Sequence, residues 1–319
     1  MISLAGTLVA DIMARPIGDW PKNGSVVTIE EIEVQPGGAV ANTGQILERL
    51  GVPVSVHAAV GSDNLGQITR SLVESWATRS GIQTLAGRRT TATIVAVRED
   101  GDRNFINAPG ACDQFRLSEA QIDQDVRLGA RALHVGYALG LPAFDGHAMK
   151  RALCRAKEVG LLTSVDVTYF DSPLWPTLLD LMPEVDVFCP SLSEAEAITG
   201  KSGAAAAAEA LEQAGVKQFI AVTNGSHGAA IRIPGQAAEN LAALPAKAID
   251  TTGAGDAFIA AVLAAWYRGL DWRTAARAGI AAGSLAVTSG KRYGNLSNWS
   301  QIEGRAKPDS AKPTSRPAP

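Results

Sequence analysis

Glycines and an aspartate meet at one turn of the sequence, and this combination can do chemistry. The segment Asp250 to Asp256 reads DTTGAGD and leads directly into the apolar run AFIAAVLAAWYRG. At a glycine-rich turn that opens a helix, free backbone N–H groups converge, and the positive end of the helix dipole reinforces them. We therefore predict an anion site formed by the amides of Gly253, Ala254 and Gly255.

Asp256 lies inside this predicted anion site, where its charge opposes the anion unless the carboxylate is there to take a proton. We predict that Asp256 activates a hydroxyl for attack on phosphorus, while the amides hold the charge on the transferred phosphoryl group. The alternative is an acidic first-turn residue that complements the helix dipole, which is the commoner case for such a turn alone. Neither a Walker sequence nor a complete dinucleotide fingerprint occurs in the chain to explain the turn otherwise.

Short apolar runs alternate with helix-period stretches, which indicates strands joined by crossover helices and an α/β fold. Core strands are predicted at ISLAGTLVA, VSVHAAV, ALHVG, LLTSVDV, VDVFC and QFIAVT, each apolar on both faces as in a covered parallel sheet. Helices are predicted at about residues 41–50, 64–78, 145–159, 193–199 and 204–214, and two more after residue 252.

Two segments break this alternation, because they hold half-polar strand patterns with no helix between them. They are residues 14–36 and 86–108. They predict a small sheet beside the strand ends where α/β folds bind ligands, so a lid is the functional interpretation. An edge extension of the main sheet or a dimer contact fits the pattern equally well.

Composition narrows the function classes. The 319 residues carry 29 basic and 32 acidic side chains, so no net positive field recruits nucleic acid or an anionic membrane. The three cysteines and four histidines lack the spacing of a disulfide framework or a zinc site. Asp11 interrupts the first apolar run, and no run approaches the roughly 18 apolar residues of a spanning helix, so we expect a cytoplasmic protein.

The end of the chain differs from the rest in composition. From Gln301 onwards, QIEGRAKPDSAKPTSRPAP has no apolar period, which predicts a disordered tail over residues 301–319. The tetrapeptide IEGR within it is similar to a protease-cleavage scar. We therefore leave this segment out of the predicted fold.

Two motifs near opposite ends of the chain belong together. DTTGAGDAF, and PGGAVANTGQILERLG followed by VGSDNLG, resemble the C-terminal and N-terminal signatures of the ribokinase family of carbohydrate kinases, also called the PfkB family. The resemblance implies one kinase domain over residues 1–300, with a three-layer α/β/α fold, a mostly parallel central sheet and a small β-sheet lid. It also implies transfer of the γ-phosphoryl group of ATP to a hydroxyl of a small carbohydrate or nucleoside.

The resemblance also assigns roles to single residues. Asp256 would be the catalytic base, with the amides of residues 253–255 as the anion hole. Asp11, at the end of the predicted first strand, would accept hydrogen bonds from acceptor hydroxyls. Gly38 would let the sugar lie against bare backbone, and Asn42 would both donate and accept. A helix-start hydrogen bond is the alternative for Asn42.

The resemblance also implies an ATP-binding segment at the turn that follows a predicted core strand. The segment VTNGSHGA would line the phosphates and ribose of ATP through Thr223, Gly225, Ser226 and Gly228. By itself, TNGSHG is an ordinary hairpin turn.

Two metal ions complete what the resemblance implies. Potassium would bind through Asp250 and Thr252, although the second loop of that site, Ser289 to Gly294, departs from the family pattern. The family's N-x-x-E motif, which orders water around Mg²⁺, has Ser191 in place of its asparagine here. Glu194 is kept and would hold Mg²⁺ through water, or else serve as a helix-start carboxylate.

Asp166 lies in a second region that departs from the family. It is retained in SVDVTYFDSPLW, where Thr168 and Phe170 replace the usual asparagine and arginine. These changes and Ser191 are compatible with altered metal response, altered acceptor choice, or a weakened kinase.

The sequence does not identify the acceptor molecule. Neutral ribose-like or ketose sugars lead over nucleosides, whereas Arg88 and Arg89 keep a sugar acid or a phosphosugar in play. Acceptor contacts from the lid are expected among Arg103, Asn104, Phe105 and Asn107. The alternatives from other classes are a kinase-like protein that only binds sugar or nucleotide, and a dinucleotide-dependent oxidoreductase. The family resemblance also makes a homodimer through the lid an expectation.

Overall fold

Strands and helices alternate along most of the chain in a computed structural model, which describes residues 1–18, 20–99, 102–288 and 293–306. The strands are β1 (Ile2–Gly6), β2 (Val9–Ile17), β3 (Glu31–Gly37), β4 (Val54–His57), β5 (Ala59–Gly61), β6 (Arg79–Ser80), β7 (Gln83–Leu85), β8 (Ala92–Arg98), β9 (Arg103–Ala108), β10 (Ala132–Ala138), β11 (Leu162–Val167), β12 (Val187–Phe188), β13 (Phe219–Thr223), β14 (Ala229–Arg232) and β15 (Glu239–Leu241).

The helices include the five predicted before residue 252 and the two predicted after it. They are α1 (Gly38–Arg49), α2 (Asn64–Glu74), α3 (Glu119–Arg127), α4 (His147–Glu158), α5 (Leu192–Thr199), α6 (Ala204–Ala214), α7 (Ala254–Tyr267), α8 (Trp272–Ala286) and α9 (Trp299–Ala306). Short 3-10 turns occupy Ala111–Gln114, Trp175–Glu184 and Gly225–His227. Of these helices, α3 and α9 were not predicted.

The large sheet has the order β15-β14-β13-β12-β11-β10-β1-β4-β6, in which β14 alone runs against the others, so the β13–β14 and β14–β15 pairs are antiparallel. Its strands are apolar on both faces because helices cover both. One buried cluster joins the sheet to α1, α7 and α8, and a second joins the opposite face to α4, α5 and α6. This arrangement confirms the predicted three-layer α/β/α fold.

The predicted first strand, ISLAGTLVA, is wrong as a single element. The chain leaves the large sheet at Gly6 and enters a different sheet at Val9. A Cβ atom at Gly6 would lie 2.5 Å from the carbonyl oxygen of Gly136, so the two strands are in close contact where β1 ends. As a consequence, Asp11 belongs to β2 of the second sheet and not to the end of the first core strand.

The second sheet, which we call the lid sheet, has the order β3-β2-β8-β9. It confirms a small separate sheet built from the two segments that broke the helix and strand alternation. The strand bounds differ from the expected ones, because β2 starts at Val9 and residues 20–30 form no strand. Side chains on one face line a pocket described below, whereas the opposite face carries Ile12, Ile32, Ile94 and Ile106.

The chain from Gln301 to Ala306 differs from the predicted tail, because α9 spans Trp299–Ala306. Ile302 is buried in the same core as α7 and α8. Arg305 donates hydrogen bonds to the hydroxyl of Ser284 at 2.8 Å and to the carbonyl of Pro245 at 2.6 Å. The IEGR tetrapeptide therefore belongs to a packed helix and not to a disordered tail, whereas residues 307–319 lie outside the described residues.

Within the described ranges, no helix combines the length and the apolar character that crossing a lipid bilayer requires.

Candidate active site

Asp256 is buried in the first turn of α7. The helix begins at Gly253, whose φ of 78° lies in the left-handed region that favours glycine. No side chain caps this helix in the described structure, so its positive end faces the site. The amide of Ala254 donates to the carbonyl of Thr251 at 3.3 Å. Glycine is thus needed here for backbone conformation, as the sequence predicted for the turn.

Within the part of the chain that the structure describes, three side chains donate hydrogen bonds to the Asp256 carboxylate. Asn42 Nδ2 lies 3.1 Å from Oδ2, and Thr43 Oγ1 lies 3.3 Å from Oδ1. The hydroxyl of Tyr137 lies 3.0 Å from Oδ2 and 3.2 Å from Oδ1. A buried carboxylate needs such donors to stay ionised. Asn42 therefore makes a tertiary contact to the predicted base, which differs from the helix-start alternative.

The sequence analysis missed Tyr137, the residue after the predicted strand ALHVG. It lies near the end of β10 with a φ of 59°, which is uncommon for a residue other than glycine and is found mostly where the surroundings impose it. Burial and the neighbouring charge of Asp256 raise the pKa of the Tyr137 hydroxyl well above its usual value. The hydroxyl therefore stays a donor. The signal available in the sequence was a tyrosine directly after an apolar core strand.

A small pocket lies between the lid sheet and α7. Its lining includes the predicted acceptor residues Asp11 and Asn42, together with Gly253, Phe105 and Tyr293. Tyr293 donates to Asn42 Oδ1 at 3.1 Å. The cavity volume of this pocket is about 40 Å³, which is room for water.

Two glycines before α1 make this geometry possible. A Cβ atom at Gly37 would lie 2.0 Å from the carboxylate of Asp11, so the missing side chain leaves room for that carboxylate. Gly38 has a φ of 79°, and its Cβ would lie 2.6 Å from the carbonyl oxygen of Thr7. Thr7 also accepts the first amides of α1, from Ala39 at 3.1 Å and Val40 at 3.2 Å. Gly38 is thus required by packing on Thr7, and its predicted sugar contact stays a prediction.

The predicted potassium ligands Asp250 and Thr252 also line the small pocket. Asp250 accepts a hydrogen bond from the backbone amide of Thr252 at 3.0 Å, and it forms an ion pair with Arg103 from the lid sheet. The second predicted cation loop falls largely on residues 289–292, which lie outside the described residues.

A large cleft of about 670 Å³ opens on the other side of the glycine-rich turn. Its lining includes all four predicted nucleotide residues, which are Thr223, Gly225, Ser226 and Gly228, as well as Ala254 and Gly255, two of the three residues predicted to form the anion hole. The predicted hairpin turn is a 3-10 turn that joins the antiparallel strands β13 and β14. This turn forms part of the wall of the cleft. A Cβ at Gly228 would lie 1.9 Å from the carbonyl of Leu241, so this glycine also has a packing role.

Two further carboxylates lie within electrostatic range of Asp256 or of each other. Burial raises the pKa of Asp166 well above its usual value, and the charges of Asp256 and Glu194 raise it further. Burial also raises the pKa of Glu194. Glu194 closes a capping box with Ser191, accepting from its amide at 2.7 Å, as the helix-start alternative predicted. A cation nearby would relieve this repulsion, which suits a water-bound Mg²⁺.

The carboxylates of Asp166, Glu194 and Asp256 do not form a site that coordinates a metal ion directly. Among the described residues, no three histidine, cysteine, aspartate or glutamate side chains are grouped closely enough to hold a metal ion.

Comparison with known proteins assigns the chain to a class. The pfkB family carbohydrate kinase model matches residues 6–298, so the chain belongs to the pfkB family of carbohydrate kinases. The enzyme is a phosphotransferase with an alcohol group as acceptor. Fructokinase-1 of Oryza sativa subsp. japonica is 28% identical over 241 residues, which is 72% of each chain. Fructokinase-2 of Solanum lycopersicum is 28% identical over 237 residues, covering 72% of this chain and 71% of its own.

Solved structures agree with this fold. An E. coli protein assigned as a ribokinase II, in complex with ATP and Mg²⁺, matches with a TM-score of 0.78 and 25% identity over 95% of this chain and 98% of its own. The Arabidopsis thaliana ribokinase complexed with ribose and ATP matches with a TM-score of 0.79 and 22% identity over 96% of this chain and 98% of its own.

Replacing Tyr137 by phenylalanine removes one donor from the Asp256 carboxylate without changing the shape of the ring. We expect kcat to fall about tenfold to a hundredfold, the range for a hydrogen bond to a charged group, while the KM for ATP stays unchanged. Steady-state kinetics of Tyr137→Phe measures this split. Tyr267→Phe is the matched control, because its hydroxyl contacts only the N-terminal amine far from Asp256. Wild-type kcat in Tyr137→Phe would contradict the assignment.

Replacing Asp166 by asparagine tests the carboxylate repulsion. Because its pKa is raised in the folded state, ionisation of Asp166 destabilises the fold, so stability is lost as pH rises from the unfolded value through the folded pKa. We expect Asp166→Asn to raise the thermal midpoint at pH 8 by a few degrees, with a gain that shrinks towards pH 4, and to lower activity.

Asp125→Asn is the control of opposite sign. Burial opposes ionisation of Asp125, but hydrogen bonds from His57, Ser3 and Ser55 prevail and lower its pKa. This variant should therefore lose stability at neutral pH. Equal shifts of the thermal midpoint in Asp166→Asn and Asp125→Asn would show that charge repulsion does not cause the stability change in Asp166→Asn.

Proposed function

We propose that this protein transfers the γ-phosphoryl group of ATP to a hydroxyl of a neutral sugar, with Asp256 as the general base. The observation that carries the proposal is the buried Asp256 carboxylate, which Asn42, Thr43 and Tyr137 hydrogen bond. It belongs to the turn whose Gly253 lines the small pocket and whose Gly255 lines the large cleft. These donors keep the buried carboxylate ionised, and an ionised carboxylate is what a general base requires.

In the proposed step, the Asp256 carboxylate takes the proton of the acceptor hydroxyl as its oxygen attacks the γ-phosphorus. One P–O bond forms to the acceptor, the P–O bond to the β-phosphate breaks, and ADP leaves. The amides at the start of α7 hold the charge on the transferred group, helped by the helix dipole. The lid sheet excludes water from the reacting atoms once the acceptor is bound.

ATP is proposed to lie in the large cleft, with its phosphates towards Gly255 and its ribose and base towards Thr223, Ser226 and the apolar wall. An E. coli protein of the same fold was solved in complex with ATP and Mg²⁺, which supports ATP as the nucleotide. When bound, Mg²⁺ neutralises phosphate charge. Glu194, with Asp166 nearby, would order the water molecules around it, while one of its carboxylate oxygens, Oε2, accepts from the Ser191 amide in the capping box of α5.

The polar side chains that line the small pocket favour a neutral sugar over an anionic one. Asp11 and Asn42 offer hydroxyl partners, and the guanidinium of Arg103 is already paired with Asp250. Arg88 and Arg89, which kept a sugar acid or phosphosugar in play, are exposed and lie outside the lining of the small pocket. The fructokinase relatives favour a ketose, and a nucleoside is the second candidate.

The test is ADP formation from ATP and Mg²⁺ across pentoses, ketohexoses, aldohexoses, sugar acids, phosphosugars and nucleosides. We expect the fastest acceptor-dependent release with a neutral ketose or pentose. Asp256→Asn should lower kcat at least about a hundredfold while ATP still raises its thermal midpoint, because the base is lost and the cleft remains.

Asp271→Asn is the matched control, because Asp271 caps the neighbouring helix α8 and its loss removes a carboxylate at a helix start without touching the site. ATP binding with no release for any acceptor would instead support a protein that only binds sugar or nucleotide. Wild-type turnover in Asp256→Asn would remove the central assignment.

We also propose that two copies pair through the outer face of the lid sheet. This face presents Ile32, Ile94 and Ile106, which are 70%, 41% and 50% exposed. Ile94 and Ile106 are directly paired, and Ile32 lies on β3, separated from them by Ile12 and Ala14 of β2. A contiguous apolar face of this kind is usually covered in solution. A second copy of the same sheet offers an equally apolar and self-complementary partner.

Light scattering after size exclusion should give twice the 33.2 kDa chain mass for the wild type. Ile94→Glu should give the monomer, because it places a charge at the centre of the proposed contact. Ile68→Glu, at an exposed isoleucine of α2 outside the lid, should stay dimeric. A monomeric wild type at concentrations of about 10 μM would overturn the pairing.

A further inference from the structure

An ion pair joins the lid sheet to the glycine-rich turn. Arg103 lies at the start of β9, and its guanidinium contacts the carboxylate of Asp250, six residues before the proposed base. Both side chains are largely withdrawn from solvent, at 13% and 8% exposure. A pair with so little exposure is not the weak, screened kind found at surfaces.

The local charge balance explains why Asp250 needs a cation. Asp11 and Asp250 both line the small pocket, and Asp256 lies directly behind it. The proposed reaction adds polyphosphate charge at the same turn. Among the described residues that line the small pocket, Arg103 is the one cationic side chain. An uncompensated carboxylate at Asp250 would repel both the phosphates and the base.

This arrangement does not fit a free potassium ion on Asp250 as the family resemblance implies. Thr252 donates to one carboxylate oxygen, and Arg103 takes the other. A guanidinium is a permanent charge and forms directed hydrogen bonds to carboxylates, so it does electrostatically what a bound monovalent cation would do.

We propose that Arg103 is a positioning residue of the kinase, which supplies from the lid the fixed positive charge that Asp250 needs, so that turnover is independent of potassium. The inference rests on the proposed function. Because Arg103 belongs to the lid, its charge lies beside Asp250 while the lid covers the turn that holds the phosphoryl group. The four rotatable bonds of the arginine side chain allow the pair to persist while an acceptor widens the pocket.

The experiment compares the wild type with Arg103→Gln and Arg103→Lys in potassium chloride and in tetramethylammonium chloride at matched ionic strength. Two quantities are measured, kcat with the best acceptor and the thermal midpoint without ATP or acceptor. Arg15→Gln is the matched control, because Arg15 pairs with Glu31 within the lid sheet and does not reach the turn.

For the wild type and for Arg15→Gln, we expect kcat to differ less than about twofold between the two salts, and the midpoint to be unchanged. For Arg103→Gln, kcat in tetramethylammonium should fall about tenfold to a hundredfold, the effect of a misplaced reacting group, with little change in the KM for ATP. Potassium should restore much of that loss and raise the midpoint of this variant alone, because the ion then binds at Asp250. Arg103→Lys should keep part of kcat.

A second substitution tests the charge argument. If Arg103 serves Asp250, Asp250→Asn removes the need for it, so the double variant should be less impaired than the product of the two single effects. Full additivity of the two effects would overturn the proposal.

Two other results would overturn it as well. One is potassium activation of the wild type of about tenfold or more with a rise in its midpoint, which would place a free ion at Asp250. The other is wild-type kcat in Arg103→Gln with faster ATP hydrolysis in the absence of acceptor, which would make the pair only a latch over an empty pocket. If Arg103→Gln does not fold, the wild-type measurements decide. If the wild type forms no ADP with any acceptor, the proposed function fails, while the midpoints still decide this inference.

Discussion

A carboxylate buried at the start of a helix is the constraint on which the rest of this structure depends. Asp256 needs donors because it is withdrawn from water, and these donors come from elements distant in sequence. Asn42 and Thr43 arrive on α1 after the chain returns from the lid sheet, and Tyr137 arrives at the end of β10, next to β1 in the large sheet. The order of the strands and the path of the chain through the lid sheet bring Asn42, Thr43 and Tyr137 to the start of α7, where Asp256 lies.

The same site concentrates negative charge, at a cost in stability. Burial and mutual repulsion raise the pKa of Asp166, with Asp256 and Glu194 as the charged neighbours, and Glu194 is itself buried. A site built only for stability would place apolar side chains here. The arrangement is reasonable if a cation and polyphosphate enter together, since the cation then offsets both the carboxylates and the phosphates.

Local motifs were predictable from the sequence, and contacts between distant segments were not. The turn at Gly253 could be predicted because its glycines, its aspartate and its helix are contiguous. The contact of Tyr137 with Asp256 joins residues 119 positions apart, so no local pattern indicates it. The division of ISLAGTLVA into two strands depends on which sheet each half joins. The short helix α9 is stabilised by contacts with distant segments, which are the packing of Ile302 in the core and the hydrogen bonds of Arg305 to Ser284 and Pro245.

The position of Arg305 gives the end of the folded chain an unexpected influence. Its guanidinium donates hydrogen bonds to Ser284 of α8 and to Pro245 in the segment after β15. Both of these residues line the large cleft. The last helix therefore acts as a brace behind the wall of the cleft, without touching its interior. A fusion partner or a truncation that disturbs α9 would change the width of that cleft from outside, so the C-terminus is a poor place for a tag when nucleotide affinity is the quantity of interest.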